Sequence, residues 1–359
     1  MQQPVSVELV AMMDFQFKPG HQPKELTENF KRREGDIALE KLERDYQNGR
    51  RWLWYKLSPN KTTLFGQRTR EFWSVLPRNK ANSNGANAVG QFMCLPQRGV
   101  GVATFWASDP AWRSNPMAAR QTDSGLFDIF DQANLTNMEG EFIAERIYPL
   151  LVVRLNEQDL TRFCRDHADE VAPWFTGGLE GESPERRLEL IGPENNISRR
   201  AYERIFMRWT DALVLYDKTV SDEVYRQARC RAAQLFEHCI LARRIFRTDS
   251  EKIARLSNSK SFFISFPRKF PQANRALSSF ANAEYEMVTA PPVGFVEAEE
   301  LVGRAIERCG VPTIIGDTRQ SYDLLDRRLQ LARGQWLAIV AVAAFLANAG
   351  IAIWIALIK

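Results

Sequence analysis

From Trp336 to Ile358 the chain reads WLAIVAVAAFLANAGIAIWIALI, about 23 residues with one polar side chain, Asn348, and no charge. At about 1.5 Å rise per residue, a helix of that length covers roughly 34 Å, enough to cross a hydrocarbon core of about 30 Å. Trp336 and Trp354 lie near its two ends, where amphipathic rings favour the boundary with water. A buried core helix rarely runs this long without a charge. The run therefore reads as a transmembrane helix, and everything before it as a polar body that this helix tethers.

The chain has 359 residues, 26% of them charged and 45% hydrophobic, a folded rather than a disordered composition. More than 330 residues precede the anchor, enough for two ordinary domains. The net charge of +4 is too small to argue for nucleic acid or lipid by itself. The five cysteines, at 94, 164, 230, 239 and 309, form no CxxC pair. The three histidines, His21, His167 and His238, are scattered. This excludes a regular disulfide framework, fits a reducing compartment, and leaves no expectation of a metal or other cofactor. The N-terminal stretch lacks the basic start and apolar core of a secretory signal. Arg327, Arg328 and Arg333 flank the anchor on its N-terminal side. The positive-inside rule then predicts a single-pass, tail-anchored protein of the cell membrane with its N-terminal body in the cytoplasm.

The pattern before the anchor predicts an α+β fold: a strand-rich α/β domain over 1–176, a helical domain over 177–317, a juxtamembrane stalk over 318–335, and the transmembrane helix over 336–358. Val5–Phe17 alternates as a first strand. Asp36 caps a helix through IALEKLERDYQ. RWLWYKL and TTLFGQ read as two strands around SPNK, and EFWSVL as a third apolar run. NKANSNGANA is a polar loop, and AVGQFMCL and GVGVATFWA flank PQR as a hairpin. Trp52, Trp54, Trp73, Trp106 and Trp112 fit a small sheet core better than a stacking surface. GLFDIFDQA is a short helical piece, and Leu150–Leu155 a β-branched strand that closes the first domain. The next helix takes Asn156 as its cap and places Leu160, Phe163, His167 and Val171 on one face. GGLEGESPE reads as a linker. Beyond it the reading is helical: over 198–217 on the spacing of Tyr202, Ile205, Phe206, Trp209, Leu213 and Tyr216, over Asp222–Phe246, and over Phe295–Cys309. SFFISFPRKFP reads as a strand or loop insert. The last helix begins near Thr318 and continues into the anchor, with Gly334 as its weak point.

No P-loop, GxGxxG, GxSxG or HExxH is present, which counts against common nucleotide-binding and hydrolase classes. Arg226, Arg229, Arg231, Arg243, Arg244 and Arg247 form an arginine-rich stretch, read as a solvated face paired with acids such as Glu223 and Glu237, with phosphate binding as the alternative. Arg162-Phe-Cys-Arg-Asp-His167 has an Arg-x4-His spacing that resembles the active motif of HEPN ribonucleases. The resemblance implies Arg162 holding an RNA phosphate and His167 moving a proton. A second resemblance is one of layout. An α/β unit, a helical region and a helix running into the membrane look like CorA-type magnesium transporters, whose Gly-Met-Asn motif and second membrane helix are missing here.

The sequence favours a non-catalytic role. The leading expectation is a membrane-tethered sensor or interaction module that self-associates through its C-terminal helix. The alternatives are a membrane-anchored hydrolase or HEPN-like nuclease, and an oligomeric channel of CorA-like layout. Partners follow from the anchor: the lipid bilayer and a second copy of the chain, with no nucleic-acid or protein partner legible. Ala344, Asn348, Ala352 and Ala356 recur every four residues, the small-and-polar stripe that lets membrane helices approach.

Overall fold

The computed structural model describes residues 3–16, 40–42, 44–45, 69–75, 88–95, 98–121, 147–178, 183–258, 266–289 and 296–358. The strands expected over 51–67, the short helix in GLFDIFDQA and most of the helix after Asp36 lie outside these residues. The fold is α+β. Seven strands form one mixed sheet: β1 (Ser6–Gln16), β2 (Thr69–Val75), β3 (Ala88–Leu95), β4 (Val100–Ser108), β5 (Ile147–Arg154), β6 (Glu203–Met207) and β7 (Ala212–Tyr216), in the order β2-β3-β4-β1-β5-β7-β6. Every pairing is antiparallel except β5 with β7. Among the described residues the α-helices are α1 (Met117–Gln121), α2 (Leu160–Asp166), α3 (Ala168–Thr176), α4 (Pro184–Leu190), α5 (Asp222–Ser257), α6 (Phe266–Glu284), α7 (Val296–Arg308) and α8 (Val311–Ile358).

The chain divides into two compact units, Met1–Arg244 with Tyr285–Val311, and Ile245–Glu284 with Pro312–Lys359. The expected first strand and hairpin are present. The β3–β4 hairpin closes through Gly99, whose φ of 65° suits a residue without Cβ. At Gly101 an added Cβ would lie 2.5 Å from the Phe15 ring and 2.8 Å from the Met93 carbonyl, so the residue fits because it is small.

Residues 198–217 correct the helical reading. They form β6 and β7, joined by a turn in which Arg208 N–H donates to the Asp211 carbonyl at 2.8 Å. Every residue of β7 is buried. A strand covered on both faces reads as a continuous apolar run, and such a short run fits a helical period as well as a strand. The parallel β5–β7 pairing needs a crossover, supplied by α2, α3, α4 and β6. So β5 is an inner strand and does not close the sheet, and the sheet continues past residue 177 into the region expected to be purely helical.

The sheet has two unlike faces, fixed by the period of two along β1. Val7, Leu9, Ala11, Met13 and Phe15 join Phe105, Leu151, Val153, Phe206, Leu213 and Leu215 in an apolar core under α1–α4, which contribute Ala119, Phe163, Val171, Trp174 and Leu190. The opposite face carries Glu8, Asp14, Thr104, Glu203 and Tyr216, and α5 lies across it. Along α5, Arg229 meets Glu8 near the start of β1 and Arg244 meets Asp14 near its end. Fifteen helical residues rise about 22 Å and six strand residues about 20 Å, so the two elements run side by side.

In the second unit, the end of α5, all of α6 and the first half of α8 pack together. Phe280 meets Phe246 at 5.8 Å and Tyr322 at 5.7 Å between ring centroids. SFFISFPRKFP is therefore partly the start of a helix, not an insert: Pro267 falls in the first turn of α6, where no N–H is needed, and Pro271 costs the helix one hydrogen bond.

Candidate functional site

The feature that distinguishes this chain is a change of environment along one helix. α8 is 48 residues long and passes through Gly334 without a break. It begins seven residues before the expected start near Thr318. Up to Ala332 its apolar seam is buried: Val311, Ile315, Thr318, Leu325, Leu329 and Ala332 are each less than a tenth exposed. The spacing of four and three puts them on one side of the helix. The helix is held from its polar sides too. Arg319 binds the Glu284 carboxylate, Arg328 donates to the Ser257 carbonyl, and the Thr318 hydroxyl bonds back to the Ile314 carbonyl at 2.6 Å.

From Arg333 on, coverage ends. Leu337, Val342, Phe345, Leu346, Ile353, Trp354 and Leu357 are all exposed, Leu357 at 80%. So many large apolar side chains facing outward on one helix is unstable in water. The region where the chain stops covering its own helix is also where charge disappears from the sequence. Length and composition qualify this part of α8 as a membrane span. Ala344, Asn348, Ala352 and Ala356 all lie in it and are exposed. The seam of Leu325, Leu329 and Ala332, by contrast, is covered by the chain's own α5 and α6, and within 318–335 the large apolar side chains left exposed are Leu324 and Leu331.

The Arg162–His167 pair is placed differently from its sequence reading. Asp159, not Asn156, caps α2, accepting from Thr161 and Arg162 N–H at 3.0 Å each. The expected single helix is two, α2 and α3, meeting at His167, whose backbone at φ −123°, ψ 32° leaves the helical region. The His167 side chain is one-third exposed, with its ring 4.9 Å from Phe163 and Nδ1 3.4 Å from Glu170. Arg162 is largely exposed and its Nε donates to Asp166 at 3.2 Å. The guanidiniums of Arg162 and Arg165 both hold the Asp166 carboxyl below its ordinary pKa, the Arg162 hydrogen bond contributing most. Each member of the pair thus faces its own carboxylate, and a carboxylate beside both is unfavourable for a bound phosphate.

A cavity of about 470 Å³ lies nearby, lined by Thr161, Cys164, Leu188, Ile191, Arg204 and Phe206 among others. The Cys164 thiol is not poised as a nucleophile: burial pushes its pKa up to about 12. Among the described residues, no cluster of three or more histidine, cysteine or acidic side chains is arranged to hold a metal ion.

The arginine-rich stretch is neither a phosphate site nor a solvated face. Arg231 and Arg244 are buried against the sheet and Arg229 is partly buried there, Arg229 paired with Glu8 and Asp45, Arg231 with Glu203 and Arg244 with Asp14. Thr104 donates to the fully buried Glu237 at 2.6 Å. Arg243 donates to the Cys309 carbonyl at 2.6 Å and stacks over Trp209. Arg247 alone of the stretch keeps a surface pair, with Glu251 at 3.6 Å. These groups join helix to sheet. Helical spacing could not show this, because the partners lie outside the helix, 28 residues away for Glu203 and Arg231 and 221 for Glu8 and Arg229. Compared with known proteins, the chain matches no family, no curated protein and no solved structure.

Proposed function

We propose that the protein is a membrane-tethered body held by residues 336–358, and that it works by binding and relaying rather than by catalysis. The observation that carries this reading is the abrupt loss of cover along α8 at Arg333, at the point where the charge-free run begins. Arg327, Arg328 and Arg333 on the N-terminal flank support a cytoplasmic body. Self-association, if α8 mediates it, belongs to the exposed stripe Ala344, Asn348, Ala352 and Ala356, because the seam before it is already covered. An amide in hydrocarbon gains from a reciprocal partner, and alanines let two backbones approach.

A channel built from several copies of α8 draws support from the unbroken course of the helix. It needs a polar pore lining, and Asn348 is the single polar side chain between Trp336 and Ile358. The tether reading is therefore preferred. Alkaline carbonate extraction of membranes carrying the full chain tests it: the protein should stay in the pellet, and release into the supernatant refutes the span.

A further inference from the structure

The membrane-facing end of the second unit has a charge pattern that the anchor alone does not require. From Lys252 to Ala283 the sequence holds Lys252, Arg255, Lys260, Arg268, Lys269 and Arg275, and no aspartate or glutamate. From Arg327 to the end of α8 there is again no acid. These stretches are distant in sequence, and the fold brings them to one level.

The level follows from contacts within the unit. Glu284 pairs with Arg319 and Phe280 meets Tyr322, so α6 runs antiparallel to α8 and its early residues lie toward Trp336. Tyr322 is 14 residues before Trp336, about 21 Å along the axis. Arg268 is 12 residues before Phe280, about 18 Å in the same direction, which leaves it roughly 3 Å from the level of Trp336. α5 runs parallel to α8, with Phe246 beside Phe280 and Ser257 beside Arg328. Counted from Phe246, Arg255 lies roughly 8 Å and Lys252 roughly 12 Å from that level, and counted from Ser257 roughly 15 and 20 Å; Arg275 lies roughly 14 Å away. Arg333 sits one turn before Trp336. The headgroup layer is about 5–8 Å thick on each side of the hydrocarbon. Arg268, Lys269 and Arg333 thus fall within that layer, with Arg255, Arg275 and Lys252 behind them, and the stretches of α6 and α8 that carry the first three have no carboxylate.

Behind this collar, α5 and α6 enclose a groove of about 510 Å³ in which Lys252, Arg255 and Arg275 surround an apolar floor of Leu256 and Ala276. Lys252 and Arg255 keep only long contacts to acids, 3.9 Å to Asp249 and 3.8 Å to Glu251, both on the side away from the membrane. Arg268 and Arg275 have exposed side chains.

We propose that this end of the second unit docks on anionic phospholipid headgroups, with Arg268, Lys269 and Arg333 in the headgroup layer and the cations of the groove adding attraction from behind it. The inference rests on the reading of 336–358 as a span, since the span sets the level of the collar. Each cation in the layer adds its own attraction to an anionic leaflet, and salt screens it.

The test uses the full chain reconstituted in vesicles of phosphatidylcholine alone, or with about one-third phosphatidylserine. An uncharged, water-soluble amine reagent labels Lys269, with a soluble lysine peptide as internal standard. Labelling should be at least ~tenfold slower in the anionic vesicles, and about 0.5 M salt should restore it. Replacing Arg268→Gln and Arg275→Gln together should remove most of the difference while leaving the melting temperature unchanged, because both side chains are exposed. Equal labelling in both vesicles, with the protein still resistant to carbonate, overturns the docking proposal and leaves the tether intact. Release by carbonate overturns both. If inorganic phosphate protects Lys269 equally well in neutral vesicles, this end of the unit is a site for a soluble anion and the lipid proposal fails.

Discussion

Replacing Arg231 by methionine should be among the most damaging single changes in the first unit. Arg231 and Glu203 are 6% and 1% exposed, and the guanidinium donates to one carboxylate oxygen. The Ser198 hydroxyl donates to the other at 2.6 Å. Beside them the fully buried Tyr216 phenol has its pKa raised, first by burial and then by the charge of Glu203. Arg231→Met keeps most of the side-chain volume but leaves a carboxylate in the interior with one neutral donor. Breaking a buried pair in this way costs about 3–5 kcal/mol, a large part of the ~5–15 kcal/mol that holds a domain together. At roughly 2–4 °C per kcal/mol for a unit of this size, the melting temperature should fall by roughly 6–20 °C. The assay is thermal unfolding of the full chain in detergent, followed by near-ultraviolet circular dichroism. The double variant Arg231→Met, Glu203→Met removes both charges and should melt within about 1 kcal/mol of the parent, recovering most of what the single change loses. A single variant that melts within about 2 °C of the parent, or a double variant no better than the single, would refute the claim that this pair is buried and mutually compensated.

Gly101→Ala should lower stability by about 1–3 kcal/mol, since the Met93 carbonyl is backbone of a paired strand and cannot step aside; an unchanged denaturation midpoint would count against the packing described. Cys164, Cys230, Cys239 and Cys309 are buried and should resist alkylation at pH 8 in the folded protein, Cys164 also because its thiol titrates near pH 12; mass spectrometry finding Cys164 rapidly modified would contradict this. His167→Ala loses a partly exposed ring contact and should cost about 1 kcal/mol or less in a chemical melt; a larger loss would mean that the ring is held more tightly than its exposure indicates. Asn348→Leu and Ala352→Leu should each weaken any oligomer of the full chain in detergent while leaving membrane insertion unchanged, the first by roughly 0.6–2 kcal/mol; an oligomer indifferent to both removes this stripe from the interface.

The helix long and apolar enough to cross a membrane was legible in the sequence because a charge-free run of that length needs no tertiary partner to be recognised. The alternation of β1, the β3–β4 hairpin and the helical period of Asp222–Phe246 were legible for a related reason: one face of each is set by a repeat of two or 3.6 residues. Tertiary structure alone decided the rest. Residues 203–216 became strands because β5 offers an inner edge to which β7 adds, and a fully buried strand has no polar face to betray its period. Pro271 sits within α6 because packing against Phe246 and Tyr322 outweighs one lost hydrogen bond. The arginines of α5 look like a solvated or phosphate-binding face in one dimension, yet Glu8, Asp14 and Glu203 come from strands far away in the chain, and only the fold brings the opposite charges together. His167 reads as part of one continuous apolar face, but Asp159 starts the helix later and the chain breaks at the histidine itself. The seam of α8 is the clearest case. Its spacing of four and three was visible in the sequence, but whether a second copy or the chain's own α5 and α6 would fill it depended on contacts that no repeat encodes.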